Sequence, residues 1–345
     1  ILSTGDWIKI GVTKSGIYKL DKNFFQDNNV EYNLINPSTI QIFGSGYNGL
    51  LPQKNNLSTL FSPKQLKISF YGNNNDVFED NEFVYFYAQS SDKLVYDTLN
   101  NKMQYDNNIY TDSSFFLLTY NQSPGNRVDE IDNGIRYDSL SDEVFHFSYF
   151  EEDIYSIIQS GRDWFGSVYT HNEIKSFDIL NYVPSSDLNI ELQFLSRSLS
   201  DSKFSISIND EFIDDIELQK ITEGVYGNKG LLTSKNLHYK VGGNNPSKMQ
   251  ISYSGSNTSL AYLDYFTMSG KIKLFYQNDQ LKYFTRPSTL KSFVKFKIES
   301  NSEVSIWNVT DLYNIHSYKI VNESDNLFYI SNIKNYTSNI IFSLD

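Results

Sequence analysis

The densest grouping of chemically capable side chains in the sequence is Ser160-Gly161-Arg162-Asp163-Trp164-Phe165-Gly166. Arg162 is one of five arginines in 345 residues, and it stands beside a carboxylate and a tryptophan. Two readings are open. In the first, the bracketing glycines adopt backbone angles other residues avoid, Trp164 fills the core and Arg162 pairs with a carboxylate. In the second, Arg162, Asp163 and Trp164 form a contact surface for a partner or a glycan, since Trp and Arg are favoured interface anchors. The residue types by themselves favour the first.

Other groups offer less. The four histidines, His146, His171, His238 and His316, lie far apart, with no pair at metal-ligand spacing. Acidic groups occur at Asp76/Glu79/Asp80/Glu82, Glu151/Glu152/Asp153 and Asp210/Glu211/Asp214/Asp215. None has the offsets of a calcium loop ending in a bidentate Glu, so solvated loops are expected. Asp264 shares a strand face with Tyr262 and Phe266, where a carboxylate is expected to accept backbone hydrogen bonds. Gly44-Ser45-Gly46 follows a strand pattern, but no helix and no Gly-Lys-Ser come after it. A Gly-x-Ser-x-Gly elbow is absent. With no cysteine there is no disulfide, no thiolate metal site and no cysteine nucleophile. No cofactor is implied. A net charge of −12 with so few arginines also argues against nucleic acid as a partner.

The elements that must position these residues read as strands. Leu188, Ile190, Leu192 and Phe194 alternate with polar residues, the period of a half-buried strand. Phe204, Ile206 and Ile208 do the same, and Asn209-Asp210-Glu211 before Phe212 marks a hairpin. Further runs are Leu66/Ile68/Phe70, Met249/Ile251/Tyr253, Val294/Phe296/Ile298 and Ile340/Phe342/Leu344. Helical patterns are short: Asp21 is placed to cap a turn through Phe24 and Phe25, and Ile154, Ile157 and Ile158 have i, i+3, i+4 spacing. The chain has 26 Tyr, 25 Phe, 37 Asn and two Ala, which suits strands. An AT-rich genome would produce the same bias, so alternation is the stronger argument. The expected fold is all-β, with two to three β-sandwich or jelly-roll-like domains in tandem. Polar, Gly/Pro-marked stretches at 121–143 and near Gln277-Asn278-Asp279 suggest domains at 1–135, 136–275 and 276–345. No apolar run reaches the length of a membrane helix. The first residues lack the basic and apolar regions of an export signal, so the expectation is that any signal peptide has been removed.

Several segments, in order, resemble the N-terminal region of the PorU-type sortases of the type IX secretion system, gingipain-related cysteine peptidases of Bacteroidetes. Gly5-Asp6-Trp7-Ile8-Lys9-Ile10 and Ser15-Gly16-Ile17-Tyr18-Lys19-Leu20 are similar to that family's opening. Phe43-Gly44-Ser45-Gly46 with Leu51-Pro52, and Asn108-Ile109-Tyr110-Thr111 followed by 115–119, resemble later segments. Ser160–Gly166 is similar to its S-G-R-x-W-F-G, Leu263-Asp264-Tyr265 to its L-D-Y, and Ile306–Asp311 to its V-W-D-V-T, with Asn308 where the family has Asp. The resemblance implies a cell-surface protein at the extracellular face of the outer membrane. The parent would cleave C-terminal sorting domains from secreted cargo and attach the cargo to surface lipopolysaccharide. The implied partners are the chain's own C-terminal peptidase domain, the outer-membrane barrel PorV and other attachment-complex proteins. The Cys-His peptidase domain would follow the matched region, and no catalytic residue carries over to this cysteine-free sequence. The expected role is a non-catalytic scaffold that docks the peptidase. The alternative is a glycan-binding surface module of β-sandwich type.

Overall fold

A computed structural model describes residues 4–45, 63–73, 75–97, 102–132, 139–158, 163–224, 227–243, 247–276, 280–285, 293–300, 302–321, 327–331 and 337–344. It is largely all-β, in several discrete sheets. The principal helix is the single turn-and-a-half Lys22–Asp27, which starts where Asp21 accepts a hydrogen bond from the Phe24 amide at 3.1 Å. The Ile154/Ile157/Ile158 spacing is not helical: Tyr155 bridges Phe165 as a strand pair, and the following residues turn. No helix is long and apolar enough to cross a membrane, a statement confined to the described residues and to helices.

The chain divides into two compact units, residues 142–274 and a discontinuous unit of 1–141 with 275–345. Residues 275–345, which the sequence patterning separates from 1–135, therefore share a unit with them. The physical reason is one buried cluster. Phe25, Phe78 and Phe86 belong to the same core as Trp307, Ile315, Ile340 and Phe342, and the Tyr85 ring meets Phe342 edge-on at 5.1 Å. In this unit Ile8–Val12, Ser114–Thr119, Gln41–Gly44 and Lys64–Gln65 pair antiparallel. Phe83–Ala88 lies between Gly16–Asp21 and Ile68–Tyr71. Val304–Asn308 pairs with Thr337–Ser343, which in turn pairs with Leu281–Thr285.

The 142–274 unit has two antiparallel strand arrays with a main run of four strands each, and the short Val168–Tyr169 also pairs with Ala261–Lys273. One runs Glu143–Glu151, Ala261–Lys273, Asp187–Ser196, Leu231–Lys240. The other runs Ile174–Asp178, Lys248–Ser254, Ser202–Ile208, Glu211–Leu218. Alternation decides which side chains face inward. Leu188, Ile190, Leu192 and Phe194 on one sheet, and Phe204, Ile206 and Ile208 on the other, are all buried. Phe194 stacks on Phe204 at 4.1 Å between ring centres, and Phe177 meets Phe150 and Phe266 edge-on at 5.0 and 5.2 Å. These contacts join the two sheets. The expected hairpin at Asn209-Asp210 is present, and both residues have positive φ, 48° and 66°, as a tight two-residue turn demands.

Side chains also stand in for backbone pairing. Gln280 accepts from the Ile17 amide and donates to the Ile17 carbonyl, both at 2.6 Å, as a strand residue would. A Cβ on Gly16 would lie 2.7 Å from Gln280 Oε1, so the clamp requires glycine there. Gln280→Ala is expected to lower stability by about 1–3 kcal/mol, because two part-buried backbone groups lose their partner. Gly16→Ala should cost a similar amount in the wild-type background and markedly less in Gln280→Ala, a non-additivity that denaturant titration of the four proteins would read.

Candidate functional site

The described part of the segment singled out in the sequence, 163–166, folds against one end of the outer face of the Ala261–Lys273 sheet. Phe165 and Tyr155 exchange backbone hydrogen bonds at 2.8 and 2.9 Å, while the Gly166 amide donates to the Leu263 carbonyl at 2.8 Å. A Cβ at Gly166 would sit 3.0–3.1 Å from the Glu152 and Leu263 carbonyl oxygens, a tight fit that a larger residue would relieve only by pushing this backbone apart. Phe165 is the residue that plugs: it packs with Leu195 and Tyr262 in a small buried cluster, with Ile157 and Val168 against it. Trp164 is not the core residue that the first of the two readings made it. It is 45% exposed. Alternation across the Tyr155–Phe165 pair sends neighbouring side chains to opposite sides, so burying Phe165 turns Trp164 outward. Asp163 is exposed beside it, and Arg162 lies outside the described residues.

Next to this segment the strand Ala261–Lys273 carries an irregularity. Gln193 pairs with Tyr265 but Phe194 pairs with Leu263, leaving Asp264 as the extra residue of a bulge. Its partner is a side chain rather than the expected backbone: Gln193 Nε2 donates to Asp264 Oδ2 at 2.5 Å. Gln193 Oε1 in turn accepts from Ser234 at 2.8 Å. Burial pushes the Asp264 carboxyl up to about 6; the Gln193 hydrogen bond opposes this, and the Asp153 and Asp163 carboxylates add to it. Beyond it the Tyr149 and Tyr265 rings stack at 5.6 Å, and their hydroxyls donate to Glu151 at 2.8 Å and Glu191 at 3.4 Å. The arrangement is an aromatic and acidic surface. It offers contact and hydrogen bonding, not a nucleophile with its base.

The remaining sequence candidates stay apart. His146 is buried with Tyr182 Oη 3.5 Å from its Nδ1, and burial lowers its pKa to about 4. His171 meets the Gly255 carbonyl, His238 meets Asn189, and His316 packs on Tyr318. Among the described residues no three His, Asp or Glu side chains are grouped to hold a metal ion. The acidic loop after Gly72 is held by its own carboxylates. Glu82 accepts from the Asn73 and Glu79 amides, Asp80 from Lys22 and Tyr32, and Asp76 from Asn36. Asp215 pairs with Lys203 and Asp214 with Lys235.

Asp264 and His146 give the unit opposed pH dependences. With a native pKa near 6 against an ordinary 3.8, Asp264 holds its proton longer when folded, so its contribution to stability grows as pH falls from 7 to 4. With a native pKa near 4 against 6.5, His146 holds its proton less when folded, so stability is lost over the same window, by about 3 kcal/mol at most. Asp264→Asn should therefore stabilise at pH 7.5 by roughly 1–2 kcal/mol, gain nothing at pH 4, and steepen the acid-side loss. His146→Gln should flatten that loss. Thermal unfolding between pH 4 and 8 checks both signs.

No family model matches the sequence, and no curated protein matches it. Among solved structures the chain is similar to dimeric latent PorU from Porphyromonas gingivalis, with a TM-score of 0.73 and 18% identity. The likeness covers 99% of this chain and 32% of that one, so the chain spans about a third of PorU's length. The C-terminal CBM6 of the marine laminarinase LamC from Zobellia galactanivorans aligns at a TM-score of 0.23 and 9% identity, over 37% of this chain and 97% of that one. That value is too low to carry an argument. What the PorU likeness shows is a shared fold over nearly the whole of this chain.

Proposed function

We propose that this chain is the non-catalytic β region of a PorU-like sortase of the type IX secretion system, and that it scaffolds the cysteine peptidase domain and docks it to the outer-membrane attachment complex. The observation that carries the reading is the fold likeness to PorU over 99% of the chain. The absence of any cysteine supports it, because a peptidase of this class needs a thiolate nucleophile and this chain supplies none. The resembling segments also fall at structural positions. Ile8–Val12 and Gly16–Asp21 are strands, Leu263-Asp264-Tyr265 is the bulge, and Trp307 is a core residue. In this reading the protein lies at the extracellular face of the outer membrane, with the barrel PorV among its partners, and the parent cleaves sorting domains from cargo and attaches cargo to surface lipopolysaccharide.

The reading divides the chain into an N-terminal β domain (1–135), a central jelly-roll-like domain (136–275) and a further β module (276–345) leading toward the peptidase, the first and last of these built on the one core they share. Support for the central domain comes from its strand order, two runs of four strands whose sequence matches two interlocked Greek keys.

A glycan-binding role is the second reading, favoured by one observation: Trp164 is exposed beside a hydrogen-bonding sheet face rather than buried. Purified 1–345 chain is expected to retain the barrel subunit PorV in a pull-down and to give no heat with surface polysaccharide in calorimetric titration. Loss of all binding to the barrel would remove the docking role. Polysaccharide binding that disappears in Trp164→Ala would establish the second reading instead.

A further inference from the structure

The strand Val304–Asn308 is paired along its whole length with Thr337–Ser343, but with His316–Tyr318 only at Trp307 and Asn308. Past Tyr318 the chain departs, and Ile320–Val321 pairs with Leu327–Ser331 instead. The two strands part as a fork. A cleft of about 640 Å³ lies there, walled by Val304, Ser305 and Trp307 from one strand and Ser317, Tyr318 and Ile320 from the chain that leaves. That volume falls within the roughly 300–1,000 Å³ of small-molecule sites. Its whole wall belongs to the unit formed by 1–141 and 275–345.

The wall is rich in hydroxyls and held in place. Glu130, Ser317 and Trp307 are cross-strand neighbours in one row, so they share a face. Trp307 meets Phe342 edge-on at 5.2 Å, and Tyr71, also in the wall, stacks on Phe83 at 5.3 Å. Burial raises the pKa of the Tyr71 phenol, hydrogen bonds with Ser69 and Ser305 lower it, and the Glu303 and Glu130 carboxylates raise it. Both carboxylates therefore act on one hydroxyl of the cleft. Both are exposed, and among the described residues neither side chain makes a hydrogen bond or an ion pair. Lys319 feels the charge of Glu130 but pairs with Asp132 at 3.1 Å. The Ser302 and Ser317 hydroxyls are equally uncommitted.

Uncommitted acceptors thus stand among uncommitted hydroxyls, and no Lys, Arg or His belongs to the wall. A phosphate or carboxylate ligand would find no counter-charge there. A metal ion would find too few ligands, since no three acidic or histidine side chains converge among the described residues. A molecule carrying many hydroxyls can donate to the carboxylates and accept from the serines at once. We infer that this cleft binds a short neutral saccharide, whose hydroxyls donate to Glu130 and Glu303 and accept from Ser302 and Ser317 while its C–H surface lies against Ile320 and Leu344. The inference stands apart from the family reading and from the Trp164 reading, because it lies in the other unit and uses other residues. A polysaccharide bearing phosphate or carboxylate is repelled by the two glutamates, so no heat is expected with a surface polymer of that kind.

The test titrates the full 345-residue chain with maltotriose, cellotriose, mannotriose and triacetylchitotriose, read by calorimetry and ligand-detected NMR. At least one is expected to bind, with affinity changing less than about twofold between 50 and 500 mM salt, as for an uncharged ligand. Glu130→Ala and Glu303→Ala should each weaken binding about tenfold or more, one charge-assisted hydrogen bond being lost in each. Melting temperature should not change, since neither carboxylate has a partner to lose. Trp164→Ala should bind as the wild type does. Absence of binding by all four sugars at about 10 mM would overturn the inference, as would undiminished binding by the folded glutamate variants. Loss of binding in Trp164→Ala would also overturn it, moving the sugar to the other unit. So would binding of trilysine in place of any sugar, which would make the cleft a cation site. Failure of the PorV pull-down leaves the sugar titration intact, so the two readings fail separately.

Discussion

The register shift between Gln193 and Phe194 admits one extra residue, Asp264, into a strand that is otherwise paired on both edges. Much of the outer face follows from that insertion. Below the bulge the outward positions carry Tyr265, Glu191 and Gln193, and above it they carry Leu195 and Tyr262, which require cover. Phe165 supplies the cover, with Ile157 and Val168 beside it, and Gly166 permits the approach. Asp264 is left at the seam, too buried to ionise at its ordinary pKa and steadied by one amide. Exposure of Trp164 is the counterpart of burying Phe165. A single added residue thus separates a wet, hydrogen-bonded half of the face from a dry, covered half.

Strands were legible in the sequence wherever one face is buried, because period two is then imposed residue by residue. The 188–194 run and the 204–213 hairpin are the clear cases. The Asp21 cap was readable for a similar reason, since its oxygen answers an amide three residues away. Less local facts were not. Trp164 and Phe165 are adjacent aromatics, and nothing in their types says which turns inward; that depends on Leu195 and Tyr262, far off in sequence. The isoleucine spacing at 154, 157 and 158 imitates a helix because a turn after a short strand happens to space side chains alike. The bulge itself left no mark, as its extra residue is counted only against a partner strand.

The same limit applies to how the first and last segments combine. Ile340 and Phe342 alternate plainly, so a strand there is expected, but alternation cannot name the core it enters. That core includes Phe25 and Phe86, and it is reinforced where Gln280 imitates a strand residue against Ile17 and Arg127 donates to the Pro37, Ser38 and Ile40 carbonyls. Arginine suits that place because its planar group reaches several carbonyls together and stays charged under part burial. Side chains here complete hydrogen bonds that the sheets leave open.

The split of one core between residues 1–141 and 275–345 has a consequence for the order of folding. A ribosome delivers the chain from its N-terminus, and contiguous segments fold as they emerge. The 142–274 unit has all its strands once residue 274 has been made. The strands before it must wait, since Trp307, Ile340 and the Gln280 clamp arrive only after it. During that interval Phe86 and its neighbours have only part of their cover, and contacts more than 250 residues apart close slowly. Within this core the segments made before residue 142 gain their full cover only after residues 275–345 follow, so a Phe- and Tyr-rich sheet stays part-covered while the 142–274 unit is being made.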